Sequence, residues 1–139
     1  MKGRVLVDTG PLVAFVNRHD RFQAWAREQL GAIAPPLLTC EAVLTEACHL
    51  LGRLRGGTEA LTKLLGSGAL AVPFRLEQEV MPVAKLLRKY ANVPISLADA
   101  CLVRMAELVA ESTVLTLDED FRIYRKHGRQ VIPTILPPG

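Results

Sequence analysis

The sequence predicts an α/β protein, a three-layer α/β/α sandwich built on a central parallel sheet. Three observations carry that expectation. The runs Val5-Leu6-Val7 and Val114-Leu115-Thr116-Leu117 lack the apolar–polar alternation of a strand with one wet face, so they read as strands buried on both sides. Amphipathic helical stretches stand between such runs, which is the order that parallel crossovers require. Both runs also lead into an aspartate, Asp8 and Asp118. In open α/β sheets the carboxyl ends of the strands form the ligand crevice, so two acids at that edge invite a functional reading.

The elements follow in order. After the first strand, Thr9-Gly10-Pro11 turns the chain into a short helix over Gly10–Asn17, with Pro11 suited to its first position. Arg18-His19-Asp20 is a polar break. A second helix spans Arg21–Leu30, with Phe22, Trp25, Ala26 and Leu30 at helical spacing. Pro35-Pro36 ends it, and Leu37-Leu38-Thr39 is a short strand. Thr39 is placed to cap a third helix running to about Leu54, whose stripe is Val43, Leu44, Ala47, Leu50, Leu51 and Leu54. Gly56-Gly57 breaks this helix, Thr58–Leu65 forms another, and Gly66-Ser67-Gly68 turns into a strand at Ala69–Val72. Glu77–Tyr90 is amphipathic, with Val80, Val83, Ala84 and Leu87 inward. Ser96 opens a long helix to about Ala110. Beyond the strand at Val114–Leu117, a short helix near Phe121–Lys126 and a last strand at Val131–Pro133 complete the chain.

Length and composition bound the class. The chain of 139 residues reads as one domain over 1–139, with about 136–139 as a loose tail. Half of it is hydrophobic and mean hydropathy is +0.22, which excludes a disordered chain. Cys40, Cys48 and Cys101 are too few and too scattered for a disulfide framework and contain no Cys-x-x-Cys pair. No apolar run approaches the roughly 20 residues of a membrane helix. Lys2 and Arg4 are followed by Asp8 rather than by an apolar core, unlike a secretory signal. A soluble cytoplasmic protein, with no membrane partner, is the expectation.

The acids deserve separate weighing. Asp8 alone is either a turn or N-cap residue or one member of an acidic metal site. Asp118 repeats its setting. If the two strands are neighbours, their carboxylates stand on the order of 5 Å apart. At an effective dielectric near 20 such charges repel by roughly 3 kcal/mol, so the pair shares a proton or holds a cation. Glu46 sits beside the apolar stripe of its helix, either an ordinary edge residue or one reaching into a crevice. Glu46-Ala47-Cys48-His49 has the Glu-x-x-His spacing of di-iron bundles, but no second copy exists, which leaves His49 a bystander. Ser96-Leu97-Ala98-Asp99 matches a capping pattern, yet Asp99 falls in line with Val103, Ala106 and Ala110 rather than with the polar stripe of Arg104, Glu107 and Glu111. An inward carboxylate is costly unless bonded, paired or metal-bound. Asp120 is a further ligand, a supporting partner or only an acid in the first turn of a short helix.

Overall charge then becomes informative. The formal net charge is +3 and the pI about 9.0. With Asp8, Glu46, Asp99, Asp118 and Asp120 set aside, 17 basic residues face nine acids and the rest of the chain carries +8. An acidic pocket on a basic surface suits phosphodiester chemistry, because carboxylates hold hard cations while the surface holds the phosphate backbone. The candidates for RNA contact are Arg18, Arg21, Arg53, Arg122, Arg125 and Lys126, with Arg55 and Arg129 beside them.

Four segments in order resemble the PIN-domain ribonucleases, and closely the VapC-like toxins of toxin–antitoxin pairs. They are Val7-Asp8-Thr9-Gly10-Pro11-Leu12-Val13, Thr45-Glu46-Ala47, Ser96-Leu97-Ala98-Asp99-Ala100 and Thr116-Leu117-Asp118-Glu119-Asp120-Phe121. The resemblance runs from Val5 to about Ile135. It implies a PIN-like α/β/α sandwich and an endoribonuclease dependent on one or two Mg²⁺ or Mn²⁺ ions. It makes Asp8, Glu46, Asp99 and Asp118 the catalytic acidic ligands, leaves the role of Asp120 open, and sets Thr9 and Thr116 beside the metal. It also implies a cognate antitoxin covering the acidic cleft and a homodimer. In the corresponding mechanism a metal-activated water attacks phosphorus, with Asp99 or Glu46 taking its proton.

Rival readings remain distinct in what they require. A receiver-like signalling domain needs a phosphoacceptor Asp ending a central strand and a Lys ending a late one, but Ala69–Val72 ends in Pro73 and no Lys follows Leu117. A non-catalytic PIN-like module would bind RNA or a partner without a metal-stimulated product. A PIN nuclease of RNA processing or decay would act without an antitoxin.

Overall fold

The computed structural model describes residues 3–139, so Lys2 lies outside the described residues. The element order is β1 (Arg4–Val7), α1 (Thr9–Val16), α2 (Gln23–Ala32), β2 (Leu37–Leu38), α3 (Glu41–Leu51), α4 (Gly57–Gly66), β3 (Leu70–Ala71), α5 (Val80–Lys89) and α6 (Leu97–Leu108). There follow β4 (Ser112–Leu115), β5 (Arg125–Lys126), β6 (Gln130–Val131) and β7 (Thr134–Ile135), with single 3₁₀ turns at Leu76–Glu79 and Glu119–Arg122. Five strands make one sheet in the order β3-β2-β1-β4-β7, and every pairing in it is parallel. Helices flank it, as the α/β/α expectation requires. α1 packs against α2, α3 and α4, while α5 packs on α6, which lies on β1 and β4.

The central position of β1 explains its composition. Val5, Leu6 and Val7 are all buried, because β1 has a strand on each side and helices above and below. β1 pairs with β4 over its whole length, Val7 opposite Leu115, and with β2 through Leu6 and Leu38. Val114 and Leu115 are likewise fully buried. The long helix α6 is the most deeply set, with Ala98, Ala100–Val103, Met105 and Ala106 inside.

Several expectations need correcting. Pro11 is the third residue of α1 rather than the first, a position still in the turn whose N–H groups have no helical partner. α2 begins at Gln23, two residues later than expected, and α3 stops at Leu51 rather than Leu54. Thr39 does not cap α3: Cys40 holds the N-cap position, and the buried Thr39 hydroxyl instead donates to the Val7 carbonyl at 2.9 Å, tying the ends of β2 and β1 together. Leu50 leaves the apolar stripe and is 58% exposed. On α5 the buried pair is Val83 and Leu86, whereas Val80, the first residue of the helix, is exposed at its open end.

The largest departure is at the carboxyl end. Phe121–Lys126 is not a helix. A 3₁₀ turn ends at Arg122, and Arg125–Lys126 pairs antiparallel with Gln130–Val131. His127 and Gly128 make the turn between them with φ of 52° and 84°, the left-handed conformation that Gly adopts without cost. The strand expected at Val131–Pro133 is therefore half of a hairpin. The fifth sheet strand is Thr134–Ile135, beginning just past Pro133, which has no N–H to contribute to a ladder.

Candidate active site

Sheet order fixes where a site can form. From β1 the chain passes to β2 and β3 on one side and returns to β4 on the other, so a crevice opens at the carboxyl ends of β1 and β4. Asp8 is the first residue beyond β1, and its N–H donates to the Leu115 carbonyl at 3.0 Å. Its side chain is buried and held at both oxygens. Oδ1 accepts from the Thr9 N–H at 2.8 Å and Oδ2 from the Thr116 hydroxyl at 2.7 Å. Asp8 is thus the N-cap of α1 and a cleft acid at once, so the two readings that its sequence context set in opposition are compatible.

A ladder of local hydrogen bonds positions the second acid. The Thr116 Oγ1 that donates to Asp8 accepts from the Asp118 N–H at 2.9 Å, and Asp118 Oδ1 accepts from the Asp120 N–H at 2.9 Å. Asp99 comes from the head of α6. The Ser96 hydroxyl accepts from the Asp99 N–H at 3.0 Å, the expected cap, while the Asp99 carboxylate accepts from the Tyr124 hydroxyl at 2.9 Å. Tyr124 is fully buried and set edge-on against Tyr90 and Phe121, with centroids 5.1 and 5.2 Å away. Glu46, exposed on α3, reaches the same place from across the groove.

Asp8, Glu46, Asp99 and Asp118 all line one cavity of about 380 Å³, together with Thr9, Gly10, Val13, Asp20, Leu50 and Leu117. No lining residue is basic. Gly10 packs closely against Leu117, and a Cβ there would lie 3.0 Å from the Leu117 side chain. Asp120 is half-buried and is absent from the lining. Thr9 and Thr116 are both buried, Thr9 in the cavity lining and Thr116 behind Asp8.

Burial and like charge act together on the acids. Asp8 is pushed up to about 6, first by burial, then by the nearby charges of Asp99 and Asp118, against the opposing hydrogen bonds from Thr116 and Thr9. Asp99 is also raised, by burial and by Asp118 and Glu46, against the Tyr124 hydrogen bond. A bound cation would relieve this strain. The donor set fits a hard divalent ion, being all oxygen, and the Thr9 hydroxyl is buried without a hydrogen-bond partner. Among the described residues no three acidic, His or Cys side chains are drawn into a metal-holding cluster.

The basic candidates do not gather in one place. Arg18 and Arg55 line a common cavity. Arg21 lies over the Phe22 ring at 4.7 Å, and Arg122 pairs with Glu119 at 3.6 Å. Arg125 turns inward, its Nη1 donating to the carbonyls of Arg122, Ile123 and Tyr124. Arg53 and Arg129 are exposed, and Lys126 is half-buried in the hairpin. Sequence reasoning passed over two residues. Asp20, taken for part of a polar break, lines the acidic cavity. Tyr124 lay within a segment expected to be helical, and its bond to Asp99 spans 25 positions, beyond any local pattern.

An α/β/α sandwich with an acidic cleft between β1 and β4 defines the class, and the comparisons with known proteins define the family. The PIN domain model matches residues 5–126, and the chain belongs to the PIN-domain family. It is similar to Ribonuclease VapC26 of Mycobacterium tuberculosis, with 28% identity over 116 residues that make up 82% of this chain and 86% of the relative. The crystal structure of VapC20 from the same organism, a Sarcin-Ricin loop cleaving toxin, shares the fold with a TM-score of 0.66. That match has 23% identity and covers 84% of this chain and 91% of the other. The expected VapC-like PIN relationship therefore holds. No helix of the described residues is long and apolar enough to cross a membrane.

Proposed function

We propose that this chain is a Mg²⁺- or Mn²⁺-dependent endoribonuclease that hydrolyses RNA phosphodiester bonds, and that it acts as the toxin of a toxin–antitoxin pair. The observation that carries the reading is the convergence of Asp8, Glu46, Asp99 and Asp118, from four separate segments, on one cavity without a basic residue. The kinship with a curated ribonuclease supports it.

In this reading Asp8, Glu46, Asp99 and Asp118 hold one or two ions, and Asp120 steadies Asp118 through its backbone N–H. When bound, such an ion polarises a phosphoryl oxygen and makes water a better nucleophile near neutral pH. The protein supplies the rest. Asp8, fixed at both oxygens, forms the rigid base of the site, while Thr9 and Thr116 aim it. Asp99, already raised, and the exposed Glu46 are the groups placed to take the proton of the attacking water. The leaving 3′-oxygen is protonated from solvent at the open mouth.

Incubation of the purified protein with RNA is the test. Cleavage should appear with Mn²⁺ or Mg²⁺, disappear on chelation, and be lost in Asp8→Asn and Asp99→Asn proteins that still fold. Undiminished cleavage by either variant would sink the assignment. An antitoxin whose C-terminal segment covers the acidic cleft, and a homodimer that groups the basic surfaces, complete the proposal. Growth arrest on expression, relieved by a small protein encoded beside this chain, is the corresponding check in cells.

A further inference from the structure

The groove that contains the acids continues past them. Val13 of α1 and Leu50 of α3 form the walls of the acidic cavity. Farther along the same two chain segments, Val16 and Leu54 form the walls of a second cavity, of about 300 Å³. Val16 lies three residues beyond Val13 on α1, an advance of about 4.5 Å, and Leu54 lies in the turn that follows α3. The charge reverses over that step. Arg18, His19 and Arg55 line the second cavity, and no carboxylate does.

We infer that this second cavity is a subsite for a backbone phosphate of the RNA strand, close in sequence to the bond that is cut; the inference rests on the nuclease reading of the acidic cleft. Two guanidinium groups suit a phosphate because each presents paired N–H donors in a fixed plane. Arg18 and Arg55 have no ion-pair partner among the described residues, whose ion pairs involve Lys63, Arg104 and Arg122. The loop that carries Arg18 and His19 is closed by local side-chain caps. The Asn17 side chain accepts from the His19 N–H at 3.1 Å, and the Asp20 side chain accepts from the Phe22 N–H at 2.8 Å. On the other wall, a Cβ on Gly57 would meet the Leu51 carbonyl at 2.9 Å, so the turn carrying Arg55 lies tightly against the end of α3. His19 and Asp20 are adjacent in sequence yet line different cavities, which marks the boundary between the two charges.

This arrangement solves a problem that the acids create. A polyanion is repelled by a carboxylate-lined cleft, and the ions there compensate only the phosphate being cut. A neighbouring phosphate seated on Arg18 and Arg55 supplies attraction and sets the register of the strand along the α1/α3 groove. Phosphate contacts fix register without reading bases, so the subsite contributes affinity rather than sequence preference.

Salt-dependent binding tests this. A labelled dodecamer pool of single-stranded RNA is mixed with protein, anisotropy is read at once across a range of salt concentrations, and cleavage of the same pool is followed on a gel. Each phosphate contact in a single strand contributes about 0.7 to the slope of log affinity against log salt. The Arg18→Gln/Arg55→Gln double variant should lose about 0.7 of that slope, the share of one phosphate, and bind roughly tenfold more weakly. Its thermal melting should be unchanged, and Arg88→Gln on α5 should keep the full slope. Equal slopes for wild type and the double variant overturn the subsite even if RNA is cut, and so does an equal loss in Arg88→Gln. A reduced slope in the double variant with no product from the wild type keeps the phosphate site and overturns the nuclease reading. Failure of the wild type to bind overturns both.

Discussion

The Thr116 hydroxyl donates to Asp8 at 2.7 Å across 108 positions of sequence and accepts from the Asp118 N–H at 2.9 Å, so one buried oxygen couples the acid at the end of β1 to the acid three residues past β4. Asp8 and Asp118 are not simply neighbours by strand pairing. The threonine between them sets their spacing and lowers the cost of burying Asp8.

Removing that hydroxyl has a definite consequence. Thr116→Val keeps the shape but leaves Asp8 Oδ2 and the Asp118 N–H without their partner. A buried polar group left unsatisfied costs about 1–3 kcal/mol, and urea unfolding should show a loss of that size. Thr116→Ser, which keeps the donor and acceptor, should lie much closer to wild type. Equal stability of the Val and Ser variants would mean that the hydroxyl does not support Asp8.

Asp8 should give the ion-free protein an unusual pH dependence. Its folded value is about 6 against an ordinary 3.8, so between these values the folded state binds more protons than the unfolded state. Stability from this group is complete below pH 3.8 and is lost as pH rises through 6, the reverse of a salt-bridged aspartate. The loss is about 3 kcal/mol for a shift of this size. Asp8→Asn removes the charge, so unfolding in chelator should show the variant more stable than wild type at pH 7 and the advantage vanishing near pH 4. An Asn variant less stable than wild type at pH 7 would contradict the burial argument.

This conflict is why Asp8 could be singled out from sequence. Buried β-branched runs ending in acids are legible locally, and so was the cap at Ser96, since both depend on a few adjacent residues. The carboxyl end was not. Val131–Pro133 has the composition of a sheet strand, but the left-handed turn at His127-Gly128 recruits Val131 into a hairpin, and the sheet takes Thr134–Ile135 instead. Thr39 misled for a similar reason: a hydroxyl two residues before a helix looks like a cap until the neighbouring strand end offers the Val7 carbonyl. Tyr124 and Asp20 were hidden because the bond of the one to Asp99 and the place of the other in the cavity lining are set by tertiary folding alone.

A divalent ion should reverse the penalty on the acids. Binding to the folded state alone stabilises by about 2.7 kcal/mol at a hundredfold excess over the dissociation constant. Mn²⁺ should therefore raise the melting temperature of wild type at pH 7.5 but not that of Asp8→Asn. Because the ion competes with the proton on Asp8, the rise should shrink as pH falls below about 6. An equal Mn²⁺ shift in both proteins would place the ion elsewhere.

Tyr124 provides the sharpest test of how the cleft is supported. Its hydroxyl donates to Asp99 at 2.9 Å while its ring is locked between Tyr90 and Phe121, so Tyr124→Phe removes the hydrogen bond and leaves the packing. A purely structural role predicts a change of about 1 kcal/mol in stability and nothing at the ion. A positioning role predicts more, because groups that orient metal ligands are worth about 10–100-fold in metal affinity. Free Mn²⁺ measured by electron paramagnetic resonance should show binding to Tyr124→Phe weakened within that range, with the melting temperature in chelator close to wild type. Loss of its hydrogen bond should also raise Asp99 further, displacing the pH profile of cleavage upward. Unchanged Mn²⁺ affinity would reduce Tyr124 to a core residue and leave Asp99 oriented by α6 alone.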